Sequence, residues 1–219
     1  MEPMTNRSYR LRGTRITPAQ QGARDTLWTK YGVNFIAQEI DIATIFPKTQ
    51  PVVMEIGYGM GEATWKIAKS NPEINYLGVE VHMPGVGKLM ARLEEYELSN
   101  VKLIEQDVFG VFHYMVQDAS LSGVHLFFPD PWPKKRHHKR RIVNERFISE
   151  AAAKLKPGGY LHIATDWLPY AKWIAEIFLK SQLFSGGVIE RPESRPLTRF
   201  EGQGISKDHV VTDFKYLKS

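Results

Sequence analysis

Three glycines alternate in a short segment between an apolar run and an amphipathic stretch. Residues 55–61 read Glu-Ile-Gly-Tyr-Gly-Met-Gly and follow the apolar residues 52–54. Glycine has no Cβ and permits positive φ, so this loop allows a ligand to approach the backbone closely. The dinucleotide-binding fingerprint requires its third glycine three residues after the second, but that position is Glu62. Because Glu62 would also repel phosphate, the loop disfavours a nicotinamide or flavin dinucleotide.

Two acidic residues follow the next apolar runs. Glu80 closes the run 76–80, and Asp107 follows the run 101–105. The carboxyl ends of parallel strands form one edge of a sheet, where ligands bind and where a carboxylate can accept ribose hydroxyls. Either acid alone is better explained as a helix N-cap or a solvated loop residue. In this order behind the glycine loop, however, the two acids indicate a nucleoside-binding site.

A proline-rich loop carries an acid and an indole. Residues 126–133 read Leu-Phe-Phe-Pro-Asp-Pro-Trp-Pro, and residues 134–141 read Lys-Lys-Arg-His-His-Lys-Arg-Arg. Because proline restricts the backbone, the loop can present Asp130 to the edge of a base and Trp132 to its face. Packing of Trp132 under the loop is an equal alternative. The basic run favours contact with a phosphate backbone, with a solvated surface or a localisation signal as the alternative.

The elements that position these residues alternate in type from residue 51 onward. Apolar runs followed by longer amphipathic stretches predict successive βα units and therefore an α/β fold. Strands are predicted over residues 52–56, 76–80, 101–105, 124–128, 160–164 and 210–217. Helices are predicted over residues 62–70, 84–97, 108–117, 144–155 and 168–183. The Pro-Gly-Gly of residues 157–159 is predicted to end a helix and turn the chain into the next strand.

Composition excludes several classes of protein. The chain has 219 residues, of which 42% are hydrophobic, enough for one folded domain. Its apolar runs are far shorter than the roughly 18 residues that a membrane helix needs. It has no cysteine, which excludes disulfides, zinc–thiolate sites, iron–sulfur clusters and cysteine nucleophiles and favours a cytoplasmic protein. The histidines show no metal-binding spacing, so we expect no metal.

The positive charge is concentrated in one segment. The net charge is +5, and without the six Lys and Arg of residues 134–141 the chain has 23 basic and 24 acidic residues. A second basic region precedes Asp25, where Gly13 and Pro18 disfavour a helix. We therefore expect a flexible basic N-terminal arm over residues 1–25 and a single domain over residues 26–219. An Arg-rich start is also typical of a mitochondrial transit peptide, which is the alternative.

Five motifs together carry a family resemblance. They are the glycine loop of residues 55–61, Gly-Val-Glu-Val-His at 78–82, Phe-Phe-Pro-Asp-Pro-Trp at 127–132 with its basic run, Ala-Thr-Asp-Trp at 164–167, and Arg-Pro-Leu-Thr-Arg-Phe-Glu at 195–201. The glycine loop is common to many methyltransferases, whereas the Phe-Phe-Pro-Asp-Pro-Trp segment is specific. Over roughly residues 51–217 the sequence resembles the bacterial-type tRNA (guanine-N7-)-methyltransferases. Residues 1–50 match less distinctly.

The resemblance implies a fold, a cofactor and a reaction. The fold is the Rossmann-like class I S-adenosylmethionine-dependent methyltransferase fold, an α/β structure with a mostly parallel seven-stranded sheet and helices on both faces. The enzyme would transfer a methyl group from S-adenosylmethionine to N7 of guanine 46 in the variable loop of tRNA, its partner, forming 7-methylguanosine. The cationic sulfonium fits the acidic residues near the loop, where a dinucleotide phosphate would be repelled.

The resemblance also assigns residues to the site. Asp130 would be catalytic, either stabilising the positive charge on the methylated base or orienting the base. The cofactor-binding residues would be Glu55, Gly57, Gly59, Gly61, Glu80, Asp107 and Asp130. The substrate-binding residues would be Lys134, Asp166, Thr198, Arg199, Phe200 and Glu201, with Arg199 where the family often has Lys. The RNA-binding residues would be Arg136, His137, His138, Lys139, Arg140 and Arg141.

Other functions explain fewer of these features. An aminopropyl transferase would share the fold and the glycine loop, but its polyamine substrate needs acidic surroundings rather than the basic run. A non-enzymatic RNA-binding module would leave the glycine loop and the ordered acids unexplained. Methyltransferases that modify amino groups use an Asp-Pro-Pro-aromatic loop, whereas this chain has Pro-Asp-Pro-Trp. The sequence leaves open whether the protein is a monomer or a homodimer.

Overall fold

The computed structural model describes residues 8–9, 15–197 and 210–219. The described strands are β1 (Val52–Ile56), β2 (Asn75–Glu80), β3 (Val101–Glu105), β4 (Leu121–Phe127), β5 (Leu155–Thr165), β6 (Phe184–Ile189) and β7 (Thr212–Lys218). The α-helices are α1 (Pro18–Tyr31), α2 (Glu62–Ser70), α3 (Met83–Glu95), α4 (Val108–Tyr114), α5 (Glu145–Lys154) and α6 (Leu168–Leu179). A 3₁₀ helix covers Lys135–Arg140.

One seven-stranded sheet organises these elements. Its strand order is β3-β2-β1-β4-β5-β7-β6. Strands β1 to β5 pair in parallel, and β7 pairs antiparallel with both β5 and β6. The chain moves outward from β1 in both directions, so β1 and β4 flank the switch point at which such sheets bind ligands. The predicted α/β architecture with a mostly parallel seven-stranded sheet is confirmed.

Apolar residues cover both faces of the sheet. One buried cluster joins the sheet to α4, α5 and α6, and a second joins it to α1, α2 and α3. All residues of β1 and β2 are buried, as expected for central parallel strands covered on both faces. The helices therefore lie on both faces, as predicted, and they support the carboxyl edge of the sheet where the loops of interest begin.

Helix α1 is a difference from the sequence prediction. Pro18 occupies the first turn, where proline needs no hydrogen-bond partner, and Thr17 forms a capping box with Gln20. The helix packs on α3 at Gly87, where a Cβ would lie only 2.1 Å from the Gln20 carbonyl oxygen. The second half of the arm predicted over residues 1–25 therefore includes the start of a packed helix.

Further differences from prediction lie at α6, β6 and β5. Helix α6 ends at Leu179 rather than at residue 183, and the unpredicted β6 follows. Two central glycines weaken the strand pattern of β6, which explains why it was missed. The Pro-Gly-Gly of residues 157–159 lies within β5 as an irregularity, since Leu155 pairs with Leu121 and Tyr160 with Gly123. Gly158 has φ +73°, so the predicted change of chain direction occurs as a bulge within the strand.

Candidate cofactor and substrate site

The glycine loop between β1 and α2 has the conformation that only glycine adopts easily. Gly57, Gly59 and Gly61 have φ of +70°, +55° and +71°. A Cβ on Gly57 or Gly59 would meet no atom within 4 Å, whereas one on Gly61 would lie 2.7 Å from Leu89 of α3. The first two glycines therefore present bare backbone to a ligand. Gly61 instead allows α3 to pack tightly against the loop.

Glu80 connects the glycine loop to the end of β2. Its carboxylate accepts hydrogen bonds from the backbone N–H groups of Gly59 at 2.7 Å, Val81 at 2.7 Å and His82 at 3.0 Å. Burial raises the pKa of Glu80, and these three donors act in the opposite direction. Three of roughly four lone-pair directions are occupied, which leaves about one for a ligand hydroxyl.

A cavity of about 430 Å³ opens at the carboxyl edge of the sheet, within the usual range for a cofactor site. Its walls come from the ends of β1 to β4 and from residues 8 and 9. The described residues that line it are Ser8, Tyr9, Ile56, Gly57, Gly59, Met60, Val79, Glu80, Val81, His82, Gln106, Asp107, Val108, Leu126, Phe127, Phe128, Pro129, Asp130 and Ile142. Three of them are carboxylates, and none of these lining residues is Lys or Arg.

The charge of this cavity fits a cationic ligand. The carboxylates of Glu80, Asp107 and Asp130 all line this cavity, so each of them stabilises a positive charge inside it. Asp107 also caps α4 through its Oδ1, which accepts from the N–H of Phe109 at 3.0 Å. Burial raises the pKa of Asp107, while backbone donors oppose that rise. The residues present therefore fit the sulfonium of S-adenosylmethionine and oppose a pyrophosphate.

Glu55 and Gly61 do not line the cavity, unlike the other predicted cofactor residues. Glu55 is 3% exposed and lies in β1. Burial raises its pKa to about 7; Thr64 opposes this rise, and the charge of Glu80 adds to it. Its Oε2 has no hydrogen-bond partner among the described residues. In this structure Glu55 is therefore a buried residue of β1, directly before the glycine loop and outside the cavity lining.

The loop after β4 is held in a strained conformation at both ends. Phe128 and Trp132 have φ of +52° and +44°, which costs on the order of 1–3 kcal/mol per non-glycine residue. The N–H of Phe128 donates to the carbonyl of Ala164 at 2.8 Å. Asp130 is half-buried at the cavity wall. Such strain persists only where the surroundings enforce it, so the direction of Asp130 is set by the packing of this loop.

Trp132 packs into the protein rather than presenting its face. It is 6% exposed, and its indole N–H donates to the carbonyl of Ser8 at 3.1 Å. The guanidinium of Arg140 lies 4.9 Å from the ring centroid. Of the two alternatives for Trp132, the structure shows packing. The contact also brings Ser8 and Tyr9 to the cavity. The sequence did not predict this, because no local pattern marks a contact between residues 124 positions apart.

The basic segment forms an exposed surface beside this loop. The side chains of Lys134, Lys135, Arg136 and Lys139 are exposed, and those of His137, His138 and Arg140 are half-buried. The segment begins immediately after the Asp130 loop, so its cations lie next to a cavity whose described lining residues include no Lys or Arg. This separation of an acidic cavity from a basic surface suits a cationic cofactor and a polyanionic substrate.

Arg141 corrects the sequence prediction. It was expected to contact RNA, but it is 3% exposed. Its Nε donates to the carbonyl of Pro131 at 2.9 Å, and its guanidinium lies 5.0 Å from the ring centroids of Tyr170 and Trp173. A buried guanidinium cannot reach a phosphate backbone. Arg141 instead holds the Asp130 loop against α6. The only sign of this in the sequence is the apolar Ile142, which indicates that the chain enters the core after Arg141.

The predicted substrate residues are only partly described. Lys134 is exposed next to the loop, and Asp166 is half-buried directly after β5, at the same edge of the sheet. Neither lines the cavity. Thr198, Arg199, Phe200 and Glu201 lie outside the described residues. In the described ranges no cluster of His, Asp and Glu could hold a metal ion, and no helix has the length and apolar character to cross a membrane.

Comparisons with known proteins agree with this geometry. Residues 49–214 match a family model described as "Putative methyltransferase". The chain is 46% identical over 211 residues to a tRNA (guanine-N(7)-)-methyltransferase of Methylobacillus flagellatus, covering 94% of this chain and 89% of that protein. It is 45% identical over 215 residues to the enzyme of the same name from Nitrosospira multiformis, covering 97% and 94%.

Solved structures share the fold at low sequence identity. The 16S rRNA methyltransferase KamB superposes with a TM-score of 0.58 at 15% identity and covers 98% of both chains. An rRNA methylase from Streptococcus thermophilus superposes with a TM-score of 0.53 at 15% identity, covering 93% of this chain and 98% of that one. These similarities show the Rossmann-like methyltransferase fold. From its family match and its near full-length relatives, the chain belongs to the tRNA (guanine-N7-)-methyltransferase family of S-adenosylmethionine-dependent enzymes.

Proposed function

We propose that this protein transfers a methyl group from S-adenosylmethionine to N7 of a guanine in tRNA, at position 46 of the variable loop, and forms 7-methylguanosine. One observation carries the proposal: a cavity with three carboxylates and no Lys or Arg among its described lining residues adjoins an exposed basic helix. The cavity suits a cationic methyl donor, and the basic helix suits a phosphate backbone. The names of the near full-length relatives support the choice of tRNA and of guanine N7.

The chain would hold the cofactor through backbone and carboxylates. When bound, S-adenosylmethionine supplies a methyl group on a positively charged sulfur. Gly57 and Gly59 offer backbone without side-chain obstruction, and Glu80 has an acceptor direction for a ribose hydroxyl. Asp107, at the end of β3, would accept from the adenine amino group. Glu55 and Gly61 would act indirectly by supporting the loop.

The chemistry requires placement more than proton transfer. Guanine N7 has an in-plane lone pair and no proton, so the protein needs no general base. Near-attack placement alone can contribute about 7 to 11 kcal/mol. Asp130, on its strained loop, would stabilise the positive charge on the methylated imidazole ring or orient the base through its N–H groups. Both roles require a carboxylate held in one direction, which the loop provides.

The tRNA would lie along the basic surface. Lys135, Arg136 and Lys139 would contact phosphates, and Lys134 and Asp166 would bind near the target nucleotide at the same edge of the sheet. We extend the substrate site by resemblance to residues 198–201. Because tRNA is cytoplasmic and the chain has no cysteine to form disulfides, we place the protein in the cytoplasm.

Methyl transfer to defined transcripts tests the proposal. The purified chain is incubated with methyl-labelled S-adenosylmethionine and unmodified tRNA, and the product is digested to nucleosides and identified by mass and retention. We expect label in 7-methylguanosine and its loss when guanine 46 is replaced. Label in another nucleoside would contradict the N7 assignment, and label that persists after the replacement would contradict the variable-loop assignment.

A further inference from the structure

A buried ionic cluster lies behind the Asp130 loop. Arg195 is 2% exposed and binds Asp213 of β7 through two hydrogen bonds, Nε to Oδ1 at 2.7 Å and Nη2 to Oδ2 at 2.8 Å. Nε2 of His162, on β5, donates to the same Oδ1 at 2.7 Å. The two bonds from Arg195 form the planar fork that only a guanidinium can make to a carboxylate.

The cluster is ionic at neutral pH. Burial alone would raise the pKa of Asp213, but the hydrogen bonds from His162 and Arg195 outweigh it and hold the pKa below its usual range. Both oxygens of this carboxylate are therefore occupied by donors that keep it charged. A buried pair satisfied in this way is rigid, because any rotation of either side chain would leave a charge uncompensated.

The cluster contacts the segment that aims Asp130. The guanidinium carbon of Arg195 lies 5.5 Å from the ring centroid of Phe128, within the range of a cation–π contact. The rings of His162 and Phe127 meet edge to face with centroids 5.0 Å apart. Phe127 and Phe128 both line the cofactor cavity, and Phe128 carries the positive φ that begins the Asp130 loop.

Three elements are therefore joined at one point. Asp213 pairs with Ala164 across β7 and β5, and the carbonyl of Ala164 accepts from the N–H of Phe128. In the sequence Arg195 lies three positions before residues 198–201, which the resemblance assigns to the substrate. Arg195 lies one layer behind the cavity wall and does not line the cofactor cavity.

We propose that Arg195, through its fork to Asp213 and its contact with Phe128, is a positioning residue for methyl transfer. It stabilises the strained backbone at Phe128 and so sets the direction in which Asp130 meets the base. This inference rests on the proposed function. It predicts a loss in the rate of the chemical step with little loss in cofactor affinity.

The double variant R195M/D213N tests the proposal without leaving a buried charge unpaired. The amide oxygen introduced at position 213 can still accept from His162, so the fold keeps that hydrogen bond. The rate is measured in single turnover, with enzyme in excess over labelled tRNA and with saturating S-adenosylmethionine. Affinity for S-adenosylhomocysteine is measured by calorimetry, and the melting temperature is recorded. We expect a rate at least tenfold below wild type and an affinity within threefold of it.

A matched variant separates positioning from general weakening of β7. Phe178 stacks on Tyr216 at 3.7 Å between ring centroids, in the core cluster on the α6 side of the sheet, so F178L weakens the same strand without touching Phe128. We expect F178L to retain the wild-type rate within threefold. R195K keeps the cation but not the fork, and we expect a rate between those of wild type and the double variant.

The outcomes distinguish the two proposals. If wild type forms no 7-methylguanosine, the proposed function fails. If wild type is active and the double variant turns over within threefold of it, the positioning role alone is overturned. The role is also overturned if F178L loses as much rate at a similar melting temperature, or if cofactor affinity falls as far as the rate. Should the double variant not fold, R195K decides the question, and a wild-type rate for R195K overturns the role.

Discussion

Asp130 differs from the other two carboxylates of the cavity in its setting. Glu80 and Asp107 are held by backbone donors at the starts of helices or loops, whereas Asp130 lies on a loop with strained backbone at both ends. In the proposed function the first two hold the cofactor. Asp130 is placed by tertiary packing, which is typical of a group whose direction matters to a reaction.

We therefore expect Asp130→Asn to lower methyl transfer by about tenfold or more while affinity for S-adenosylhomocysteine stays within a few fold. The amide keeps the size of the side chain but loses its charge. The measurement is the single-turnover rate beside calorimetric binding. Asp118→Asn is the matched control, because Asp118 is exposed and precedes β4 at the opposite edge of the sheet. Normal turnover in the Asp130 variant would remove its catalytic assignment.

Glu55 predicts a pH dependence of stability. Its pKa of about 7 in the folded protein lies above the ordinary value of 4.5, so the folded state holds a proton that the unfolded state has lost. Stability should therefore fall as pH rises from about 4.5 to about 7, by about 3 kcal/mol in total. Glu55→Gln is neutral throughout and should escape this loss.

The comparison needs the cofactor-free protein. Urea unfolding of wild type and Glu55→Gln at pH 5, 6, 7 and 8 gives the difference in free energy of unfolding at each pH. Other titrating groups, including buried His125, cancel in this difference. We expect it to move in favour of the variant by about 2 to 3 kcal/mol between pH 5 and pH 8. Parallel curves would mean that Glu55 ionises normally in the fold.

Among the elements, the 3₁₀ helix after the Asp130 loop divides one basic run into two kinds of residue. Lys135, Arg136 and Lys139 are exposed, whereas Arg141 is buried beneath the loop. These neighbouring cations have different surroundings because the helix ends at Arg140, and Arg141 follows as its C-cap where the chain enters the core at Ile142 and Val143.

Removing the three exposed cations of this helix should weaken the dependence of tRNA binding on salt. For single-stranded contacts each lost phosphate partner reduces the slope of log K against log salt by about 0.7, so K135A/R136A/K139A should reduce it by about 2. The measurement is tRNA binding over a series of salt concentrations. The control K48A/K156A/K180A removes the same charge from exposed positions outside the basic segment. An unchanged slope in the first variant would mean that this helix does not contact the phosphates of tRNA.

Local signals explain which elements could be predicted. Strands β1 and β3 and helix α2 have the predicted bounds, because apolar runs and the glycine loop mark them in the sequence. Helix α1 was missed because Pro18 indicates a break unless the capping box of Thr17 is recognised. Strand β6 was missed because its central glycines carry no strand pattern, and pairing with β7 stabilises it.

In the whole molecule, the proposed cofactor site joins loops from four strands, so its occupation should stabilise the fold as a unit. S-adenosylhomocysteine at 100 times its dissociation constant should add about 2.7 kcal/mol to the free energy of unfolding. For a chain of this size that corresponds to a rise in melting temperature of about 5 to 10 °C. Scanning calorimetry measures the shift. NAD⁺ at the same concentration should give none, and an equal shift with NAD⁺ would contradict the charge argument for the cavity.

Much of the candidate site could be predicted from the sequence. The glycine loop, Glu80, Asp107 and Asp130 were all placed by their spacing from apolar runs, since a parallel α/β sheet brings the ends of its strands to one edge whatever the details of packing. The resemblance of a few motifs then identified the family. These features depend on residues close together in sequence.

Long-range contacts decided the rest. Three results required the folded chain: the burial of Glu55 and Arg141, the contact of Trp132 with Ser8, and the cluster of Arg195, Asp213 and His162. No local sequence pattern distinguishes the roles of these residues. The sequence of a basic run is the same whether one of its arginines faces solvent or packs on two aromatic rings. Only the folded chain shows which of these surroundings the arginine has. Burial and desolvation are properties of the surroundings in space, so they appear only when distant segments pack together.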